Sequence, residues 1–443
     1  MVSAPILQAP VAADDCYGFL EAQSNEVTRS LVGFTALITP VPDTLAAPEW
    51  QSLDTRYKAI KEWQSTTLEL FTSSLKGLIT PAIAELFLRE IPPHLASYHR
   101  DIVSSAPVNT PVFFRTDEAI LGKIVEVQSP GSLWGTYEQL QDYYRALGFL
   151  LGPDLSEKWA AALTAEIGKP PVVHHFFNLF WASESYFAQK ARRFARYYGY
   201  DKGIRPLDCN FVRGHHYLIL VDEALFERRR AAWSAGCLHY DVPPISIYQQ
   251  KLQMCLPFWP ITHRFYSDAV RELFPYTCLV TPKGMVLEDG EEISITQFCV
   301  LPRRRREYYL KYGGPDMSRN WGAMAVYNLA KLSQRACLDL LERVAGEPEH
   351  WIMQRACTQS CEVDYVQRDL RVAQLKVHPK YSCFYGPGGL LGVLNMYETF
   401  YKVHGSTETI MTVATLADEN LKDAKPAVVC DLAKPISASP YGG

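Results

Sequence analysis

The chain contains no run of apolar residues long enough to span a bilayer, which excludes a helical membrane protein. Met1-Val2-Ser3-Ala4-Pro5 is not a basic segment followed by an apolar one, so no signal peptide is expected. Basic residues are not in excess: 44 Lys and Arg stand against 48 Asp and Glu, so no nucleic-acid partner and no membrane surface is expected. The 11 cysteines include no Cys-x-x-Cys, and Cys357 and Cys361 have no second pair at zinc spacing. An odd, irregular set reads as reduced, buried thiols in a cytoplasmic protein. Neither a Gly-x-Ser-x-Gly elbow nor a Gly-x-x-x-x-Gly-Lys-Ser/Thr loop occurs, and there is no internal repeat. What remains is a chain of 443 residues, longer than one hydrophobic core supports, so two or three lobes are expected.

Periodicity divides it. Thr55 to Leu78 and Ala82 to Arg89 carry apolar residues at helical spacing. Pro111 to Arg115 and Lys123 to Gln128 read as strands around a turn at Asp117 to Gly122, and Thr136 to Gly148 reads as a helix. A helix over Ser183 to Tyr198, a strand at His216 to Val221, a helix over Glu223 to Ala235 and a strand at Leu238 to Val242 follow. The passage from Pro243 to Pro260 reads as a boundary, and Asp418 to Gly443 has little periodicity. The expected division is 1–240, a helical region with a substrate domain; 241–305, a central segment; and 306–443, a nucleotide-binding domain. Alternating elements give the fold class α/β, with α+β lobes.

The segment from Arg306 to Arg371 is the most informative. Glu307 to Tyr312 reads as a strand ending in Gly313-Gly314-Pro315, and Trp351-Ile352-Met353-Gln354 as a second strand. Met324 to Val344 places Val326, Tyr327, Ala330, Leu338, Leu341 and Val344 on one helical stripe between them, with Ser318 or Asn320 as its cap and Gly346 as its end. A lysine closing a strand before a glycine turn suits an adenine nucleotide held between two sheets. Lys311 would neutralise phosphate, Gly313 and Gly314 would admit it to the backbone, and the second strand would offer its edge to the base. As plain structure, Lys311 is a solvated strand end, and Arg303 to Arg306 a solvated turn or lid tip.

This order of elements resembles an ATP-grasp ligase. Ser267 to Pro275-Tyr276-Thr277 resembles the helix and turn leading to the nucleotide domain. Tyr308 to Gly314 resembles the strand, ATP lysine and phosphate loop, Trp351 to Gln354 the adenine hinge, and Asp369-Leu370-Arg371 the phosphate-side arginine. Phe114-Arg115-Thr116-Asp117 and Lys123 to Gly135 resemble the pre-ATP-grasp region of divergent peptide-ligase and glutathionylspermidine-synthetase-like members. The resemblance implies ATP and Mg2+ as cofactors, small-molecule carboxylate and amine substrates, and amide formation through an acyl phosphate with release of ADP. It assigns Lys311, Gly313, Gly314, Met353 and Gln354 to nucleotide, Arg371 and Arg115 to catalysis, and Asp117, Glu126, Gln128 and Ser132 to substrate. The family's Glu-x-Asn does not occur downstream of Arg371, which leaves Glu398 and Glu408 as the nearest metal candidates.

Each assignment has a plain structural alternative. Arg115 pairs with Asp117 across the hairpin, Glu126 faces water, and Arg371, Glu398 and Glu408 are surface or helix residues. His174-His175 and His215-His216 offer one ligand per face and no third ligand at metal spacing. The aromatic run through Phe176, Phe180, Tyr186, Phe187 and Tyr197 is core or the lining of an aromatic pocket. The latter keeps an aromatic prenyltransferase using an allylic diphosphate as an alternative, beside an inactive scaffold of the same fold. A homodimer is left open.

Overall fold

The computed structural model describes residues 37–91, 108–129, 133–175, 182–198, 209–214, 239–241, 245–316, 325–346, 350–367, 371–400 and 409–417, with isolated positions between these ranges. Strands β1 (Leu37–Ile38) and β2 (Asp43–Leu45) precede the long helix α1 (Ala47–Leu75). Pro48 in its first turn and the Glu49 carboxylate, which accepts from the Ala46 N–H (2.9 Å), start this helix eight residues before the apolar stripe alone indicates. Helix α2 (Ala82–Leu88) follows, then the hairpin of β3 (Phe114–Ile120) and β4 (Lys123–Gln128). Here the expected turn is corrected. Asp117 stays inside β3, bulges beside Glu118 absorb the mismatch, and the chain reverses at Leu121 and Gly122.

Helices α3 (Trp134–Ala146) and α4 (Leu155–Ile167), strand β5 (Val172–His175), helix α5 (Ala182–Ala191) and strands β6 (Arg196–Tyr198), β7 (Phe211–Arg213) and β8 (His239–Tyr240) form an α/β section. Its sheet runs β6-β5-β7-β8, all parallel. The helix expected through Tyr198 stops at Ala191, because Tyr197 turns inward between exposed neighbours and pairs as a strand. His215-His216, the strand over His216 to Val221, most of the helix over Glu223 to Ala235, and Asp418 to Gly443 lie outside the described residues.

The proline-bearing passage after Tyr240 is not an open linker. It forms 3-10 turns at Ser246–Gln249 and Lys251–Cys255 whose Ile247, Tyr248, Leu252, Met254 and Cys255 enter the largest core. Helix α6 (Asp268–Leu273), strands β9 (Thr277–Leu279), β10 (Met285–Val286) and β11 (Glu292–Ile293), helix α7 (Ile295–Val300) and strand β12 (Tyr308–Tyr312) follow. The single helix expected from Met324 to Val344 is instead strand β13 (Val326–Asn328), antiparallel to β12, and then helix α8 (Gln334–Ala345). Ser333, not Ser318 or Asn320, caps α8 by accepting from the Ala336 N–H (3.2 Å), and Gly346 ends it as expected. Strand β14 (Trp351–Arg355) completes a four-stranded sheet of order β13-β12-β14-β9.

Strands β15 (Cys361–Val366), β16 (Val372–Gly386), β17 (Gly389–Glu398) and β18 (Ile410–Leu416) join β1 to β4 in an eight-stranded mixed sheet. The first half of β16 pairs with β15 and its second half with β3, so the stretches 1–240 and 306–443 share one sheet. One face of that sheet packs Cys383, Tyr385, Val393 and Ala414 toward α1. The other packs Phe384, Leu394, Met396 and Met411 toward Trp134, Tyr137 and Trp159.

The β16–β17 turn locks α1 to the sheet. The Asp54 carboxylate accepts from the Leu390 N–H (2.8 Å), and a Cβ on Gly389, at φ +133°, would lie 2.1 Å from that oxygen. Gly389→Ala should therefore lower stability by roughly 1–3 kcal/mol, from the strained φ and loss of the Asp54 contact. Urea unfolding measures this, and an unchanged midpoint would show that the turn and α1 move independently.

Candidate functional site

A cleft lies between the eight-stranded sheet and the β13-β12-β14-β9 sheet. Asp117 and Ala119 of β3, Val125 and Glu126 of β4, and His378 to Lys380 of β16 form one wall. Tyr309 and Lys311 of β12, Val326 of β13 and Arg355 at the end of β14 form the other, with Lys251 between them. Strand alternation explains β12: Tyr308, Leu310 and Tyr312 enter the core of the small lobe, so Tyr309 and Lys311 face the cleft.

The Lys311 amine crosses from one sheet to the other. It donates to the Val125 carbonyl of β4 (3.0 Å) and to Gln354 Oε1 (2.7 Å), and Gln354 is held by donating to Thr277 Oγ1 (3.2 Å). Burial pulls the Lys311 ammonium down to about 8, against the opposing pull of Glu126. Lys251, itself buried, is 3.2 Å from Glu126.

Cross-strand register puts Arg115 opposite Gln128 and Asp117 opposite Glu126, so four of the expected residues share one face of the β3–β4 hairpin. Only Asp117 and Glu126 of the four line the cleft. Arg115, 2 % exposed, lies beneath it and grips Asp117 through Nε (2.9 Å) and Nη2 (3.1 Å). Lys380 Nζ (3.2 Å) and Ser382 Oγ (2.9 Å) reach the same carboxylate. Burial opposes ionisation of Asp117, but Arg115, Lys380 and Ser382 outweigh it and draw the carboxyl down to about 2.

Behind Arg115 the ionic chain continues into the second core. Arg213, fully buried, pairs with Asp241 (3.1 Å) and Glu184 (3.3 Å) and lies 4.9 Å from the ring centres of Trp134 and Phe187. Burial raises the pKa of both carboxyls, and the charge of Arg115 favours ionised Glu184. His175 bonds Tyr197 through Nδ1 (2.9 Å) and is 4.0 Å from Glu184. Phe187 and Tyr197 are core residues. Among the described residues no group of three His, Cys, Asp or Glu is arranged to hold a metal.

Several expected site residues lie elsewhere. Gly313 and Gly314 are buried against other segments: the Gly313 N–H donates to the His350 carbonyl, and a Cβ on Gly314 would lie 2.5 Å from the Tyr312 hydroxyl. Their glycine requirement is close packing, not a phosphate cradle. Met353 faces the core of the small lobe, and β14 is an interior strand paired to β12 and β9, so it offers no free edge to a base. The chain leaving it, Cys357 to Gln359, reaches the cleft instead. Arg371 is exposed at the tip between β15 and β16, and at about 3.3 Å rise per residue it is about 23 Å along the strand from His378. Glu398 is buried, accepts from Thr409 and does not line the cleft. Arg305 pairs with Asp289 and Glu291, and Arg306 caps the Leu301, Leu329 and Leu332 carbonyls, away from the cleft. Ser132 and Glu408 lie outside the described residues.

Lys251 and Lys380 are the residues that sequence reasoning missed. Lys376, His378, Lys380 and Ser382 alternate along β16, a period of two that was readable. Lys251 sits in an aperiodic polar run and gave no signal.

Known proteins add little. No family model matches the chain, and no curated protein does. Among solved structures, a glutathione synthetase-like effector from Globodera pallida, in its apo form, aligns over 94 % of this chain and 100 % of its own length. The TM-score is 0.48 and the identity 12 %, a likeness that carries no functional argument.

Asp117→Asn should cost about 3–5 kcal/mol, because it removes the carboxylate charge that the buried Arg115 grips through Nε and Nη2. Chemical denaturation checks this, and a loss below about 1 kcal/mol would show that Arg115 finds another anion. Because the native carboxyl is held below its unfolded value, the contribution is full above that value and disappears as pH falls toward 2.

Proposed function

We propose that the cleft binds the polyphosphate of ATP and that the protein is an ATP-grasp-like ligase joining a small-molecule carboxylate to an amine. The observation that carries this reading is the buried Lys311 amine, set between two sheets with Lys251 and Lys380 facing the same space. Arg355 also lines the cleft but is shared with Glu288 (3.8 Å) and Glu307 (3.7 Å), which leaves three lysines against the carboxylates of Asp117 and Glu126. A net positive, half-enclosed site favours a polyanion over its hydrated state. Lys311 and Lys251 would meet phosphate oxygens, and the backbone of Cys357 to Gln359 would run along the base.

The donor set discriminates among metal ligands. Asp117 already accepts from Arg115 twice, from Lys380 and from Ser382, which fills the acceptor sites of a carboxylate. Glu126, ion-paired to Lys251 at the cleft wall, keeps capacity and fits Mg2+, which needs only one or two carboxylates beside phosphate oxygens and waters. Bound there, magnesium would neutralise charge on the transferring phosphoryl group. The protein's own part is to place the acceptor carboxylate, hold the phosphate chain in line through its lysines and keep water from the activated acid. The acceptor carboxylate would attack the γ-phosphorus with ADP as the leaving group, and an amine would then attack the acyl carbon, expelling inorganic phosphate and giving up a proton.

Lys311→Met should abolish binding of ATP with Mg2+, measured by calorimetry, while leaving the apo melting temperature unchanged or raised. The buried ammonium, drawn from 10.5 to about 8, opposes folding by at most about 3 kcal/mol. That penalty is full below pH 8 and fades as pH rises toward 10.5. For the same reason ATP affinity of the unaltered protein should weaken between pH 8 and 10, as Lys311 loses its proton. Undiminished binding by Lys311→Met would end the assignment, and binding without ADP release for any acid and amine pair would favour a scaffold.

A further inference from the structure

The small sheet has an open edge at β9, and that edge borders a second hollow, away from the cleft. The hollow, about 470 Å³, lies between Phe258 and Trp259 on one side and the β10–β11 hairpin on the other. Strand β9 is the outermost member of its sheet. Tyr276 accepts from the Arg355 N–H (2.7 Å), the Val280 N–H donates to Trp351 (2.9 Å), and Cys278 is opposite Met353. The antiparallel alternation therefore turns the main-chain N–H and C=O of Leu279 away from β14, toward the hollow. Among the described residues nothing pairs with them. Leu279 is only 8 % exposed, and a buried backbone group without a partner is costly.

The rim carries charge of both signs. Tyr276 donates to the Val286 carbonyl (2.9 Å), and Glu292 is opposite Val286, so Glu292 marks the Tyr276 end of β9. Lys283, beside the Thr281–Gly284 bridge, marks the other end.

We propose that β9 is a docking edge for an extended peptide segment of another protein, which adds a short strand beside Leu279. Its central apolar side chain enters the hollow against Phe258, Trp259 and Tyr276. An acidic side chain meets Lys283, and a basic one meets Glu292. Main-chain pairing supplies the affinity, and the hollow and the two rim charges set the sequence. Pro275 and Pro282, which bracket the strand, limit the added pairing to the few residues between them. This proposal is independent of the nucleotide reading.

The test is selection of a displayed random octapeptide library on the full chain. Enriched sequences should hold an apolar residue between an acidic and a basic one. Their affinity should fall by about tenfold in the double variant Lys283→Glu, Glu292→Lys. Repeating the selection on the double variant, whose exposed charges leave the fold intact, should return peptides with the acid and base exchanged. No enrichment, or enriched peptides indifferent to the charge exchange, would overturn the proposal.

Discussion

The Lys311 amine is a cation held in the joint between two sheets, and the arrangement of the cleft depends on how that charge is tolerated. Its three hydrogens cannot all be satisfied by Val125 and Gln354, and burial removes water from the third. A buried ammonium with one donor still to place is a poor stabiliser. It becomes useful where an anion arrives to complete it. The lysine thus opposes folding to a modest degree, and on the proposed reading that cost is recovered when a polyanion binds.

The neighbouring charges are arranged so that this tension does not spread. Asp117 is saturated by Arg115, Lys380 and Ser382, which fixes the hairpin of β3 and β4 against β16 and leaves that carboxylate with little capacity for a ligand. Glu126, opposite it across the hairpin, is held by Lys251 alone among the ion pairs of the cleft wall. Two carboxylates at one level of one hairpin therefore have different work. One is structural, and one is free to exchange its partner. The chain of alternating charges from Lys380 through Asp117, Arg115 and Glu184 to Arg213 and Asp241 runs from this wall into the aromatic core around Trp134. Displacing Asp117 would thus disturb packing far from the cleft.

What the sequence made legible follows from the range of the forces involved. Strands β12 and β14 and the cleft-facing position of Lys311 are local matters of alternation, whereas the pairing of Asp117 with Glu126 depends on bulges beside Glu118 that shift the turn to Leu121 and Gly122. The glycines after β12 carry the same local signal whether they meet phosphate or the Tyr312 ring, and only tertiary contact with Glu90, Leu252 and His350 decides between them. Arg371 was placed by order along the chain, but the length of β16 carries it out of reach of the cleft. The helix expected across β13 shows the reverse error. Val326 and Tyr327 fit a helical stripe, yet pairing with Leu310 and Lys311 overrides it. Lys251 had no periodic context at all, since it is held by a pair of 3-10 turns that satisfy the core rather than any repeat.

The position of Lys251 gives those turns a function in the joint. They were read as a boundary, but their apolar side of Leu252, Met254 and Cys255 is buried in the core that also holds α1 and β4, while Lys251 faces the cleft and the Gly313 carbonyl accepts from the Leu252 N–H. One short segment is thus tied to the large core and, by a main-chain bond, to the end of β12. Any opening of the cleft that moved β12 away from β4 would have to break the Lys311–Val125 bond and strain this tie together. The two lysines, one from each side of the tie, would then separate and the positive field between them would weaken. A polyphosphate bound as proposed would hold both lysines at once. It would therefore favour the closed arrangement by the difference between gripping two cations and gripping one, which is the condition a ligand must meet to shift a conformational equilibrium.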